Sequence, residues 1–112
     1  MRFKGDNLGE FEELVLIAAA TLADQAYGVS VMQYIIKETG RNVNISAVHE
    51  VLKRLERKGY FKSKMGGATT ERGGRRKRYF ILTSTGKRTL DDAMKLKIQL
   101  YKRVPNFSIK LS

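Results

Sequence analysis

Apolar residues recur at helical spacing in four segments of the chain, and the first segment spans residues 10–23. This segment is apolar on nearly every side, which is typical of a helix buried by its own domain or by a second subunit. Three acidic residues, Glu10, Glu12 and Glu13, lie in its first turn, where negative charge interacts favourably with the helix dipole.

A polar break at residues 24–28 predicts a turn or a very short strand, and a second helix over residues 30–39 follows it. Gly40 comes next, at the position typical of a C-terminal helix cap. We expect the inner stripe of this helix to comprise Met32, Ile35, Ile36 and Thr39.

The third helical segment covers residues 47–58, with Ser46 as its predicted N-cap and Gly59 at its end. After it, the pattern changes to that of strands at residues 60–65 and 75–82, on either side of a Gly-rich stretch at 66–74. These two segments predict a projecting β-hairpin. The predicted inner face of the third helix is Val48, Val51, Leu52 and Leu55.

The last helix is expected to begin after the N-cap Thr83, to run to about residue 102 or 103, and to stop before Pro105. Its apolar positions form two adjacent stripes, which together make a broad apolar face on an otherwise basic helix. One stripe contains Leu90, Met94, Ile98 and Tyr101, and the other contains Ala93, Leu96, Leu100 and Val104.

Three helices, a two-stranded hairpin and a long helix, in this order, predict a mostly helical α+β fold, the winged helix-turn-helix. We expect residues 1–83 to form the winged-helix domain and residues 84–105 to form a C-terminal dimerisation helix packed on it. Residues 106–112 are expected to be a loose tail. A chain of 112 residues buries a smaller fraction of its surface than a large domain does, so dimerisation would add useful burial.

The formal net charge of +11 lies entirely in the second half of the chain. Residues 1–59 contain eight basic and eight acidic residues, whereas residues 60–112 contain 14 basic and three acidic residues. This asymmetry indicates a polyanionic partner, either nucleic acid or an acidic membrane surface. A basic surface that only aids solubility would have the same composition.

Two predicted elements carry the candidate contacts to double-stranded DNA. The second helix of a helix-turn-helix, here the third helix of the chain, enters the major groove, and the hairpin offers cations to phosphates or to a minor groove. A solvated helix face and a charged strand edge that prevents aggregation are the alternatives that the residues leave open. The candidates on the helix are Ser46, Ala47, His49, Glu50, Lys53 and Arg57, and those on the hairpin are Lys64, Arg72, Arg75, Arg76, Lys77 and Arg78.

Several short blocks of sequence, taken in order and spacing, resemble the PadR family of transcriptional regulators. They are LGEFE at 8–12, AYGVS at 26–30, SAVH at 46–49, RLERKGY at 54–60 and ERGGRRKRYF at 71–80, followed by Leu82, Thr83 and Gly86. The resemblance extends over about residues 8–95. It departs from the family at His49, where many members have tyrosine, so the family's operator preference does not carry over.

The resemblance implies a winged-helix homodimer that binds an inverted-repeat operator, usually as a repressor, and that dimerises through its first and last helices. The chain is similar to the short members of the family, which have no separate C-terminal domain. Many members respond to small aromatic ligands, so such an effector is a candidate partner, although no residue pattern here indicates one. The candidate dimer contacts are Leu14, Leu16, Ile17, Leu90, Met94, Ile98 and Tyr101.

Catalysis and metal binding find little support in the sequence. The chain has no cysteine and a single histidine, His49, so we expect no disulfide framework, no metal site, no cofactor and no Ser-His-Asp triad. The pair Gly86-Lys87 lacks the upstream glycine and the following Ser or Thr of a phosphate-binding loop. We therefore expect a protein that is not an enzyme.

Membrane insertion is also not expected. The N-terminal residues lack the apolar core of a signal peptide, and the longest apolar run, residues 14–20, is far shorter than the roughly 20 residues that span a bilayer. We expect a cytoplasmic protein. Two alternative functions stay open: a nonspecific, nucleoid-type nucleic-acid binder, and a small-molecule-binding or interaction module whose basic surface is incidental.

Overall fold

The computed structural model describes residues 8–66 and 76–106 and contains, within them, four α-helices and a two-stranded antiparallel sheet in the predicted order. They are α1 (Glu10–Leu22), α2 (Gly28–Thr39), α3 (Ile45–Arg57), β1 (Phe61–Met65), β2 (Arg78–Leu82) and α4 (Ser84–Tyr101), with a 3-10 turn, Ala23–Gln25, after α1. The predicted winged helix-turn-helix is confirmed. The hairpin of β1 and β2 is called the wing below.

A single hydrophobic core lies where α1, α2 and α3 meet the inner face of the wing. On that face the rings of Phe61 and Phe80 pack edge to face, with their centroids 5.8 Å apart. The predicted inner face of α3 is confirmed, since Val48, Leu52 and Leu55 are fully buried and Val51 nearly so. Because the core covers this side of α3, the opposite side is left to solvent.

The segment between the 3-10 turn and α2 attaches the base of the wing to the helices. The amide of Phe80 donates to the carbonyl of Ala26 at 2.9 Å, and Tyr27 forms an isolated antiparallel bridge with Tyr79. A turn or a very short strand is predicted for residues 24–28, and the segment contains both the end of the 3-10 turn and a single-residue β-bridge. The wing therefore contacts the N-terminal end of α2 as well as α3 and α4.

The helix α2 begins at Gly28, two residues earlier than predicted, and its buried stripe is Gly28, Val31 and Ile35. The prediction that Ile36 and Thr39 lie on the inner side is wrong, because both are exposed. Two stripes fit the apolar pattern of this helix. The core selects the stripe that begins at Gly28, because Val31 and Ile35 are the side chains of α2 that it buries.

The helix α3 begins at Ile45, and Asn44 is its N-cap: the Asn44 side chain accepts a hydrogen bond from the Ala47 amide at 2.9 Å. The prediction of Ser46 as the cap is wrong, because Ser46 already lies in the first helical turn. At the C-terminal ends of α2 and α3, Gly40 and Gly59 have φ angles of 72° and 86°. This is the left-handed conformation that favours glycine after a helix.

The helix α4 begins after Thr83, whose hydroxyl accepts the Gly86 amide at 3.0 Å, as expected for the predicted N-cap. It packs on α1 and β2, and its last turns carry exposed apolar side chains. Leu16 and Leu90 are 0% and 7% exposed within one protomer. The protomer's own core therefore covers two of the seven predicted dimer contacts.

None of the helices in the described part of the chain is both long enough and apolar enough to cross a bilayer.

Candidate nucleic-acid interface

The outward side of α3 forms a continuous polar stripe. Ser46, His49, Lys53 and Arg57 follow one another at intervals of three or four residues, which aligns them along the helix, and all four are exposed. Among the other candidates on α3, Glu50 is exposed and Ala47 is half-buried. Because the core holds the inward side of α3, this stripe has a defined orientation towards solvent.

The two faces of the wing carry different side chains. In the register of the strands, Lys64 lies opposite Tyr79 and Ser63 lies opposite Phe80. Paired residues share a face and successive residues alternate, so Lys64 and Tyr79 lie on the outer face while Ser63 and Phe80 lie on the core side. Arg78 alternates with Tyr79 and lies on the core side. The structure therefore separates Arg78 from Lys64.

Tyr27 joins α2 to the outer face of the wing. Its ring meets the ring of Tyr79 edge to face, with centroids 5.5 Å apart and an interplanar angle of 77°. The ammonium of Lys77 lies 4.6 Å from the centroid of the Tyr27 ring, within the range of a cation–π interaction. Of the predicted contact residues, Lys64 thus pairs with Tyr79 in the strand register, and Lys77 lies over the Tyr27 ring that Tyr79 contacts.

His49 joins the same end of α2 to α3. A β-carbon added to Gly28 would lie 2.4 Å from Cε1 of the imidazole and 3.0 Å from Nε2, so the ring rests against the glycine. Since Tyr27 precedes Gly28, contacts continue from His49 through Gly28 and Tyr27 to Tyr79 and Lys77. The exposed stripe of α3 and the outer face of the wing are therefore parts of one surface, called the α3–wing surface below.

A second connection between α3 and the wing runs along the core side. The hydroxyl of Ser63 donates to the Glu56 carboxylate at 2.7 Å, and Nη1 of Arg78 donates to the Ser63 hydroxyl at 2.9 Å. Nearer the tip, Nε of Arg76 donates to the Gly66 carbonyl at 2.9 Å. Both predicted arginines are exposed, and each has one N–H group engaged by the wing itself.

Two further predicted contact residues, Arg72 and Arg75, lie outside the described residues.

Glu12 of α1 contacts α3 from the side opposite the stripe. Its nearly buried carboxylate accepts hydrogen bonds from the Gly9 amide at 2.9 Å, Nε of Arg54 at 3.1 Å and Nζ of Lys58 at 3.2 Å. Burial raises the pKa of this carboxyl, but the three donors outweigh burial and hold the pKa below its ordinary value. The ionised carboxylate thus ties the C-terminal half of α3 to α1.

The neighbouring Glu13 ties α1 to α4. Its carboxylate is also nearly buried and accepts two hydrogen bonds from Nζ of Lys97. Sequence reasoning missed both connections, because it assigned these glutamates to the helix dipole alone. The sequence does contain the relevant pattern, because Glu12 lies on the same helical stripe as Val15 and Ala19, which are buried. A carboxylate on a buried stripe needs hydrogen-bond donors.

Within residues 8–66 and 76–106, no cluster of acidic or histidine side chains could hold a metal ion.

The model of the transcriptional regulator PadR-like family matches residues 16–92, more than half of the chain. The solved protein smu.1704 of Streptococcus mutans UA159 is 27% identical, with a TM-score of 0.59, and the match covers 80% of this chain and 78% of that one. A PadR family transcription regulator from Clostridium difficile R20291 is 24% identical, with a TM-score of 0.67 and coverage of 86% and 94%. Another from Eggerthella lenta DSM 2243 is 22% identical, with a TM-score of 0.65 and coverage of 85% and 82%. No curated protein matches the sequence.

Proposed function

This chain belongs to the PadR-like family of transcriptional regulators, and from that premise we propose that it is a homodimer that represses transcription by binding an inverted-repeat operator. As a member of this family it is a DNA-binding regulator and not an enzyme. The observation that carries the proposal is the α3–wing surface, on which a polar helix stripe and a basic hairpin are joined by direct contacts. This is the arrangement that a winged helix needs to engage a groove and the adjoining backbone together.

In this proposal α3 reads bases in the major groove. His49 and Lys53 lie in the middle of the exposed stripe and are assigned to base edges. Ser46 and Arg57 lie at the ends of the stripe and are assigned to the DNA backbone. Glu50 is exposed beside His49 and can accept from a cytosine amino group. The small side chain of Ala47 suits contact with a thymine methyl group.

The wing supplies contacts to phosphates. Lys64 and Lys77 lie on its outer face, and Arg76 and Arg78 keep N–H groups beyond those that bond within the wing. Such contacts position the protein without carrying sequence information. Arg72 and Arg75 are included in the same proposal only because of their position in the sequence.

The homodimer is proposed from the exposed apolar half of α4. Ile98 is 54% exposed, Leu100 50% and Tyr101 75%, and the half-buried Leu14 and Ile17 lie on α1, against which α4 packs. Large apolar side chains exposed together near one end of a helix are typical of an interaction surface. A second copy related by a two-fold axis would cover it, with residues 84–105 as the dimerisation helix, and would present two α3 helices to an inverted repeat.

The proposal is tested with DNA from upstream of the protein's own gene. Binding of the purified protein to this labelled fragment is titrated with salt and with excess random DNA, and transcription from the same promoter is measured with and without the protein. We expect binding that survives the competitor, a stoichiometry of two chains per operator, and reduced transcription. Binding abolished by the competitor would instead indicate a nonspecific binder, and no binding at low salt would indicate an interaction module.

A further inference from the structure

We infer that Tyr27 is the positioning residue for the wing: its ring holds Tyr79 and Lys77 beside α2 and thereby sets how the wing meets DNA that is bound to α3. The inference rests on the proposed function, because it concerns the route by which the α3–wing surface contacts DNA. Tyr27 itself need not touch the nucleic acid. Its effect on binding is transmitted through the orientation of the wing.

A wing built of two strands needs an attachment besides its own ladder, since an isolated hairpin is only marginally stable in water. At its base, Phe61 and Phe80 are buried in the core. Farther along β2, towards the tip, the residues are no longer buried, and there Tyr79 meets the ring of Tyr27. Closer still to the tip, the ammonium of Lys77 lies over the Tyr27 ring. Tyr27 is therefore placed where the wing leaves the core.

The backbone of Tyr27 is itself held in place. Its amide donates to the Ser30 hydroxyl oxygen at 2.9 Å, and that hydroxyl donates to the Gln25 carbonyl at 2.7 Å. The bridge to Tyr79 fixes the extended backbone from the side of the wing. A ring on such a backbone is presented at a defined angle, so it can serve as a fixed support for the wing.

The Tyr79 ring is confined on its other side by the wing backbone. A β-carbon added to Gly66 would lie 2.6 Å from Cε2 of Tyr79, and the Gly66 amide donates to the Lys77 carbonyl at 2.6 Å. The ring of Tyr79 is thus enclosed between Tyr27 and the backbone at Gly66. A displacement of Tyr27 would remove the support on one side of the Tyr79 ring.

A competing support exists in the bonds from Arg78 to Ser63 and from Ser63 to Glu56, which hold the core side of the wing to α3. If these bonds sufficed to orient the wing, loss of the Tyr27 ring would leave DNA binding unchanged. The experiment therefore compares Tyr27→Ala with Tyr27→Phe, which keeps the ring, with Ser63→Ala, which breaks the competing support, and with Lys77→Ala, which removes one cation only.

The first measurement needs no DNA. In the free protein, the ring of Tyr27 should shift the ε-methylene protons of Lys77 upfield in the NMR spectrum. We expect this shift in the wild type and in Tyr27→Phe and its loss in Tyr27→Ala, while circular dichroism shows that all three are folded. Absence of the upfield shift from the wild-type spectrum would overturn the inference, whatever the protein binds.

The second measurement is affinity for the operator fragment as a function of salt. Loss of wing contacts should lower the magnitude of the salt slope by roughly 0.9 for each phosphate lost. We expect Tyr27→Ala to lose at least two such contacts, Lys77→Ala to lose one, and Tyr27→Phe to match the wild type. Equal slopes for Tyr27→Ala and Lys77→Ala would overturn the inference, because Tyr27 would then act only on that one cation.

An unchanged slope in Tyr27→Ala together with a reduced slope in Ser63→Ala would also overturn the inference and assign the wing's orientation to the core side. If the wild type binds no DNA at low salt, the proposed function fails and the role of Tyr27 in binding fails with it. The NMR result separates that failure from the absence of the contact itself.

Discussion

The imidazole of His49 rests against the α-carbon of Gly28, with only 2.4 Å between Cε1 of the ring and the position that a β-carbon would take. His49 lies on the exposed stripe of α3, whereas Gly28 is buried in the first turn of α2. The absence of a side chain on one helix of the motif therefore leaves the space that an exposed side chain of the other helix occupies.

Replacing Gly28 with alanine is expected to move the His49 ring. Because His49 is exposed, the ring can rotate away, and alanine suits a helix better than glycine by about 1 kcal/mol, so stability should change by less than about 1 kcal/mol. Operator discrimination should weaken by about 1–3 kcal/mol if His49 contacts a base. Thermal unfolding and competition binding with point-mutated operators measure the two effects.

The matched control is the pair of variants His49→Ala and Gly28→Ala/His49→Ala. With the ring absent, the added methyl group has nothing to displace, so the double variant should bind operators as His49→Ala does. Additive losses in the double variant would show that Gly28 affects DNA binding by some route other than His49.

Replacing Glu12 with glutamine should lower the free energy of unfolding by about 1–2 kcal/mol at pH 7. The change removes the charge that faces Arg54 and Lys58, but both cations remain partly exposed and water offsets part of the loss. Urea unfolding measures the effect. The control is Glu10→Gln, because Glu10 pairs with Arg41 on the exposed surface and its replacement should change stability little.

The contribution of Glu12 should also depend on pH. Its pKa is lower in the folded protein than in the unfolded chain, so its stabilisation is complete above the ordinary glutamate pKa of about 4.3 and is lost as the pH falls through the native pKa. The stabilities of the wild type and Glu12→Gln should therefore converge in acid. A difference that stayed constant from pH 7 to about pH 3 would contradict this account.

Replacing Gly86 with alanine should destabilise the fold, although Gly86 lies in a helix. The added β-carbon would lie 2.3 Å from the Tyr60 carbonyl oxygen and 2.8 Å from Cδ1 of Leu82, and a backbone oxygen cannot move aside as a flexible side chain can. We expect a loss of about 1–3 kcal/mol in chemical unfolding. Thr85→Ala, at the exposed neighbouring position, should cost less, and equal costs would exclude the clash as the cause.

Replacing Ile98 with glutamate should dissociate the proposed dimer. A carboxylate buried in an apolar interface without a partner is costly, so the dissociation constant should rise at least about a hundredfold. Analytical ultracentrifugation over a range of concentrations measures it. Ser84→Glu adds the same charge at the exposed N-terminal end of α4, far along the helix from Ile98, and should leave the dimer intact. Dissociation by both variants would indicate a charge effect and not this face.

Replacing Lys53 and Lys64 should affect DNA binding in different ways. Lys53→Ala should alter the preference among operators by about 1–3 kcal/mol, because Lys53 lies in the middle of the α3 stripe. Lys64→Ala should weaken binding to all DNA alike and reduce the salt slope by about 0.9, as expected for one phosphate contact. Salt titrations on operator and random fragments distinguish the two, and a uniform loss for Lys53→Ala would make it a phosphate contact.

Residue patterns along the chain were enough to predict the order of elements, the inner face of α3, the caps at Gly40 and Thr83, and the concentration of positive charge after residue 59. The elements, the inner face and the caps follow from the spacing of residues within one helical turn or one strand. The charge distribution follows from composition. All of these features can therefore be predicted without knowing which distant segments pack together. The candidate stripe of α3 followed directly, because a helix with one buried face has only one other face to offer.

The packing of distant segments was needed to establish which stripe of α2 is buried, that Leu16 belongs to the core of one protomer, and that Glu12 binds α3. It also decided that Tyr27 and Gly28 lie between the helix stripe and the wing. In each case the deciding partner is distant in the chain, as Arg54 is from Glu12, and periodicity carries no information on which distant faces meet. Packing resolves that ambiguity, because the observed rotation of α1 fills the core with apolar side chains and also gives the buried Glu12 and Glu13 their donors.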